Sequence, residues 1–122
     1  MLKKLFIIMA LLFMSAAYAG TYEDALKTDK NVFLYFYDPF CKTCKNFDKI
    51  FEKLKTKHPE YEYVKVNAST LYGNHLFFKF RGKFVPYIIL TNPKTNKSVS
   101  IHHACIFDDM CLMRAMKSFN NN

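Results

Sequence analysis

The chain has 122 residues, of which 18 are Lys or Arg and 10 are Asp or Glu, for a formal charge of +8. That length accommodates one domain with a single core. The basic residues are spread along the sequence instead of clustering, which speaks for solubility and against a nucleic-acid footprint.

The first element is the N-terminal stretch MLKKLFIIMALLFMSAAYAG. Lys3 and Lys4 precede an apolar run from Leu5 to Ala17, and Ala17-Tyr18-Ala19 has the small-x-small form of a cleavage site. The run is shorter than the roughly twenty residues that span a bilayer. A secretory signal over 1–19 is therefore expected, followed by one domain over 20–122. No later segment is apolar enough to cross a membrane, and there is no internal repeat or low-complexity linker. All four cysteines, Cys41, Cys44, Cys105 and Cys111, lie in the part that export would deliver to an oxidising compartment, where disulfides persist. Four cysteines allow three pairings, and the spacing favours 41 with 44 and 105 with 111 without proving either.

Thr21 can cap a short helix that carries Glu23 and Asp24 at its positive end and runs to about Thr28. Val32 to Tyr37 is an unbroken aromatic and β-branched run, the pattern of a strand buried on both faces, and Pro39 ends it. Beyond Phe40 the period changes. Phe47, Ile50, Phe51 and Leu54 recur at helical spacing with charged residues between them, which predicts an amphipathic helix ending near His58-Pro59. Tyr61 to Ala68 reads as a second strand. Ser69 or Thr70 can cap a helix carrying Leu71, Tyr72, Leu76, Phe77 and Phe80, closed by Arg81-Gly82-Lys83. VPYIILT is a third strand starting at a proline, and SVSIHH a fourth. The turn-rich Asn92 to Lys97 between them makes the pair an antiparallel hairpin. Asp108 and Asp109 open a last helix through Leu112, Met113, Met116 and Phe119.

The order α-β-α-β-α-β-β-α places Cys41-Lys42-Thr43-Cys44 directly after the first strand. Such a pair can be a redox couple, half of a metal site or a structural disulfide. At the first turn of a helix, unpaired backbone N–H groups and the positive end of the macrodipole stabilise a thiolate. Cys41 occupies that place, with Lys42 and Lys45 adding positive charge beside it. Cys44 follows one turn later on the same face, within reach of a mixed disulfide at Cys41.

An exported C-x-x-C after the first strand of this pattern resembles the thioredoxin family over nearly the whole of 20–122. The resemblance implies an α/β thioredoxin-like fold, a central mixed four-stranded sheet flanked by helices. It also implies a protein disulfide oxidoreductase that exchanges electrons with protein thiols and disulfides without an organic cofactor. Cys41 would be the nucleophile and Cys44 the resolving thiol. Phe40, where thioredoxins usually carry Trp, would shield the sulfurs. Val85-Pro86 would be the cis-proline wall that receives an extended substrate segment.

The sequence also departs from that pattern. Tyr35 stands where cytosolic thioredoxins bury an Asp, which leaves the acid-base role at the second cysteine unassigned and Lys65 without its usual partner. The segment FRGKFVP is longer than usual before the proline. Lys42-Thr43 matches neither the reducing thioredoxins nor the strongest periplasmic oxidant. The run CKTCKNFDK is most similar to the thioredoxin-like domain of membrane electron-transporting disulfide reductases. It favours a reducing or relay role in a bacterial periplasm, as a monomer fed by a membrane electron donor or acceptor.

Cys105 at the end of the fourth strand and Cys111 in the last helix would form a structural disulfide that pins that helix, the alternatives being an electron-relay or regulatory disulfide, free thiols or intermolecular pairing. His102 and His103, adjacent on a strand, would point to opposite faces and so would not share a metal ion. No metal site is assigned, and Met110, Met113 and Met116 are expected to pack in the core. The alternative function is an exported copper- or zinc-binding chaperone that uses the same thiols.

Overall fold

Strand β1, Asn31–Tyr37, has five consecutive residues, Val32 to Phe36, with no exposed surface. Its side chains alternate between two faces, so both faces must be covered by helices. The computed structural model describes residues 21–121, and the expected signal segment over 1–19 lies outside the described residues. Among the described residues no helix is long and apolar enough to cross a membrane.

The remaining elements are α1 (Tyr22–Ala25), α2 (Lys42–Lys57), β2 (Tyr61–Asn67), α3 (Leu71–Lys79), β3 (Tyr87–Asn92), β4 (Lys97–Ile101), α4 (His103–Ile106) and α5 (Asp109–Asn120). The sheet order is β2-β1-β3-β4. Strand β2 runs parallel to β1, with Asn31 opposite Tyr61 and Tyr37 opposite Asn67. Strand β3 is antiparallel to β1, with Phe36 opposite Tyr87, and β4 is antiparallel to β3. The mixed four-stranded sheet is as expected, although only the first helical connection joins parallel strands. Through α3 the chain returns beside the C-terminal end of β1 and enters β3 there, so the segment before Tyr87 lies at that edge.

One face of the sheet buries Phe33, Tyr35, Ile88 and Leu90 against Phe47, Phe51 and Leu54 of α2 and Leu112, Met116 and Phe119 of α5. The other buries Val32, Leu34, Phe36, Val64, Val66 and Ile89 against Tyr22, Ala25 and Leu76. The Tyr61 hydroxyl reaches across the first face and donates to the carbonyl of Met116 at 2.6 Å, tying α5 to the outer strand.

Four expectations need correction. Helix α1 stops at Ala25, short of Thr28. His102 and Cys105 do not continue the fourth strand. Its ladder ends at Ile101, His102 caps the single-turn helix α4, and Cys105 lies within that helix. In α5, Leu112, Met116 and Phe119 fill the inward stripe at spacings of four and three, which leaves Met110 and Met113 exposed. The third strand begins at Tyr87, after the proline and not at Val85, while of the two expected caps Thr70 holds α3.

Gly73 lies in the first turn of α3, against the end of β2. A methyl group there would overlap the carbonyl oxygen of Asn67, which is backbone and cannot move aside. Gly73→Ala is expected to lower stability by about 1–3 kcal/mol, the usual cost of overpacking, as measured by urea unfolding. An unchanged midpoint would show that α3 shifts freely on the sheet.

Candidate active site

From the end of β1 the chain turns through Asp38-Pro39-Phe40. The Asp38 carboxylate accepts the Phe40 N–H at 2.8 Å, and its carbonyl accepts the Cys41 N–H at 3.0 Å. This turn sets Cys41 in the N-cap position of α2 with extended backbone, φ −85° and ψ 110°. Its Sγ accepts the N–H of Cys44 at 3.1 Å, the bond that a Ser or Asp oxygen makes at an ordinary cap. The sulfur therefore receives one of the amides that a helix start leaves without an internal partner.

Cys41 and Cys44 are joined in a disulfide, with Cα atoms 5.2 Å apart. The two sulfurs differ in access: Cys41 is half-buried, whereas Cys44 is 2% exposed and belongs to the core. Lys42 and Lys45 flank them from the exposed side of α2. The Val85-Pro86 peptide is cis, and the Val85 carbonyl oxygen lies 3.8 Å from Cys41 Sγ. Entry of β3 at the C-terminal end of β1 produces this contact, which brings together residues 44 positions apart in the chain. Phe40 is 96% exposed, so it covers no core and stands in solvent beside the disulfide. Phe84, just before Val85, is 77% exposed and was not singled out in the sequence.

Beneath the disulfide, the Tyr35 hydroxyl is placed 2.9 Å from the Cys44 carbonyl and 2.9 Å from Asp48 Oδ1. Burial, and then the bond to the Asp48 carboxylate, push this phenol well above the ordinary tyrosine range. Lys65 Nζ pairs with the same Oδ1 at 3.1 Å and lies over the Tyr37 ring at 4.3 Å. The parallel register sets Lys65 opposite Tyr35, on the same face of the sheet. Lys65 thus has a carboxylate partner, supplied by the helix. Asp48 escaped the sequence reading, although its place four residues after Cys44 puts it on that face of α2.

Cys105 and Cys111 form the second disulfide, with Cα atoms 5.3 Å apart. The loop between them carries Phe107, whose ring meets Phe47 of α2 edge-on at 6.0 Å between centroids. The rings of His102 and His103 lie 4.2 Å apart, side by side, and do not point to opposite faces. Among the described residues no group of three or more His, Cys, Asp or Glu side chains is placed to hold a metal ion.

Comparison with known families gives a match to the thioredoxin model over residues 14–104. The chain belongs to the thioredoxin family. It is a protein disulfide oxidoreductase whose redox disulfide is Cys41–Cys44. Among solved structures it is similar to the short form of thioredoxin f from spinach chloroplast, at 19% identity and a TM-score of 0.66, covering 80% of this chain and 83% of that one. It is also similar to oxidised mitochondrial thioredoxin 3 from Saccharomyces cerevisiae, at 17% identity and a TM-score of 0.65, covering 80% and 86%. A third is a thioredoxin f2 solved in complex with ferredoxin:thioredoxin reductase, at 21% identity and a TM-score of 0.61, covering 73% and 79%. Likeness at these identities concerns the fold. No curated protein sequence matches the chain.

In this thioredoxin-family domain the second disulfide closes a short loop. Replacing both cysteines, Cys105→Ser with Cys111→Ser, is expected to cost about 2 kcal/mol from the freed entropy of that loop. The Cys41–Cys44 pair should still cycle. Chemical denaturation and a disulfide-reduction assay check the two halves; loss of turnover at unchanged stability would make the second pair a redox partner.

Proposed function

We propose that this protein is an exported, periplasmic thiol-disulfide oxidoreductase that works as a monomer and in the reducing direction, passing electrons from a membrane donor to protein disulfides. Cys41 is the attacking thiol and Cys44 the resolving one. The observation that carries this assignment is the Cys44 N–H donated to Cys41 Sγ at the start of α2. A thiolate at Cys41 keeps that bond and faces the positive end of the helix, and it is the more accessible sulfur. Cys44, buried one turn further on, is positioned to attack only what is already bonded to Cys41.

Val85 and Pro86 form the wall on the substrate side, and the exposed Phe40 offers an apolar contact at the rim. An extended segment carrying the target disulfide lies between them. The reducing or relay direction rests on the run Cys44-Lys45-Asn46-Phe47-Asp48-Lys49, and the compartment on Lys3-Lys4, the apolar run and Ala17-Tyr18-Ala19.

The potential of the Cys41–Cys44 pair, measured against a glutathione series, is expected near the −270 mV of reducing members of the fold; a value near −120 mV would reverse the direction. In the same protein Cys41→Ser should abolish exchange. Cys44→Ser should instead accumulate a mixed disulfide with the substrate. Failure of the unaltered protein to cycle at all would overturn the enzymatic reading and return the thiols to copper or zinc.

The full chain expressed in a bacterium is expected in the periplasmic fraction with Gly20 as its first residue, as read by mass spectrometry. An intact N-terminus in the cytosolic fraction would remove the export assignment and leave the thiol chemistry standing.

A further inference from the structure

The segment Phe80-Arg81-Gly82-Lys83-Phe84-Val85-Pro86 leads to the substrate wall, yet thiol exchange at Cys41 gives its two cations no role. Its backbone is fixed. Helix α3 ends at Phe80, where the Arg81 N–H donates to the Phe78 carbonyl at 3.0 Å and the Gly82 N–H to the Phe77 carbonyl at 2.7 Å. Arg81 takes the left-handed conformation, φ 60°, that such a helix end usually gives to Gly. Arg81 and Lys83 therefore leave a turn held by backbone bonds.

They border a part of the sheet that no helix covers. Helices α1 and α3 pack over β1, β2 and Ile89 of β3. On that same face the register sets Ser100 opposite Ile89 and Ser98 opposite Thr91, and both serines are exposed. An open groove of about 760 Å³ results, lined by the hydroxyls of Thr91, Ser98 and Ser100 and by Lys79, Arg81 and Lys83.

None of the residues lining this groove is acidic. The acids of the neighbouring N-terminal segment are engaged elsewhere: Glu23 by the Tyr72 hydroxyl, Asp24 by Thr21 and Asp29 by Lys94. Among the described residues, none of Lys79, Arg81 and Lys83 has a carboxylate partner. Lys79 lies over the Tyr22 ring at 5.7 Å instead. Burial raises the Tyr87 phenol, and the Ser100 hydroxyl and the Arg81 charge oppose that rise, so both face the groove.

We propose that this groove docks an acidic, extended segment of the partner protein, beside the segment that carries the target disulfide. Its carboxylates meet Lys79, Arg81 and Lys83, and its other polar groups meet the serine hydroxyls. Continuity with the exchange site selects a polypeptide over other anions. Lys83 is two residues from Val85, at most about 7 Å of extended chain, and Tyr87, which follows Pro86, lines the groove. A chain received at the Val85-Pro86 wall thus reaches the cations within a few residues. Delivery to Cys41 rests on the proposed exchange function, whereas docking itself involves no thiol.

Two labelled peptides test this, each with a Ser-Gly-Cys-Gly-Ser core flanked on both sides by a run of Glu in one and of Gln in the other. With the peptide cysteine replaced by serine, fluorescence anisotropy on the oxidised protein reads docking. With that cysteine carried as its thionitrobenzoate disulfide, release of thionitrobenzoate by the reduced protein reads delivery, each rate divided by that peptide's rate with 2-mercaptoethanol. At low salt the Glu peptide is expected to bind about tenfold more tightly than the Gln peptide, as two or three exposed ion pairs together contribute. Its relative exchange rate should rise by a similar factor.

Lys79→Gln with Arg81→Gln and Lys83→Gln should reduce both preferences to within about twofold. Lys53→Gln with Lys57→Gln and Lys117→Gln removes the same charge from the helices on the opposite face of the sheet and should leave them standing. Ser98→Phe with Ser100→Phe fills the groove on an edge strand that accepts aromatic residues, keeps every charge, and should abolish them. No binding preference in the parent, a preference that survives the groove variants, or equal loss in both charge variants would overturn the docking site. A binding preference with equal relative exchange rates would overturn delivery to Cys41. Preferential binding by a protein that attacks neither peptide would overturn the exchange function and leave the groove standing. Should the groove charge variant not fold, the phenylalanine pair decides alone.

Discussion

Burial of β1 on both faces is the constraint from which the active site follows. Five successive residues without exposed surface make Asn31–Tyr37 an interior strand, flanked by β2 on one side and β3 on the other. A helix must cover each face, and the chain that leaves Tyr37 reaches α2 after a four-residue turn. The first turn of α2 therefore opens at the C-terminal edge of the sheet. Antiparallel pairing brings the start of β3 to that same edge, with Tyr87 opposite Phe36. The contact of Val85 with Cys41 is thus a consequence of where one strand lies and which way its neighbour runs.

The same burial determines where charge can sit beneath the disulfide. Tyr35 projects from the middle of β1 into the core beneath Cys44. A carboxylate at that place would be an ion taken from water into an apolar setting, costly unless paired. A phenol fills the space with a ring packed edge-on against Phe47 and extends only its hydroxyl to the polar side. The negative charge is carried instead by Asp48 on α2, where solvent and Lys65 both reach it. No buried side-chain nitrogen or oxygen among the described residues is left without a hydrogen-bond partner, so the exchange of residue types leaves no unsatisfied polar group.

The parts of this structure legible in the sequence are those whose signal is local. The apolar run of β1, the helical spacing of Phe47, Ile50, Phe51 and Leu54, and the turn residues before Lys97 each specify their element within a short window. The position of the C-x-x-C at a helix start follows from Pro39 and the change of period. What escaped depends on tertiary placement. Four residues of α4 are too few to show a period, so His102 to Cys105 read as more strand. Met113 sits one position from Leu112 and three from Met116, so the sequence spacing alone does not separate it from the inward stripe that Leu112, Met116 and Phe119 fill. Lys65 lacked a partner because that partner is on another element, 17 positions earlier. The direction of β3 was equally hidden, since a helical connection permits either sense and only the register shows which one holds.

The two disulfides lie at helix starts of opposite electrostatic character. At α2 the cap is the sulfur of Cys41 itself, so the free amide of Cys44 is donated to one of the two redox sulfurs. At α5 the cap is Asp108, whose carboxylate takes the N–H of Cys111 at 3.1 Å, with Asp109 adding a second acid in the first turn. A thiolate at Cys111 would find that amide occupied and two negative charges nearby, where one at Cys41 finds an amide and two lysines. The loop closed by Cys105 and Cys111 also holds Phe107 against Phe47, on the helix that carries the redox pair. The bond at one helix start is thereby joined, through two packed rings, to the helix at whose start the redox bond lies.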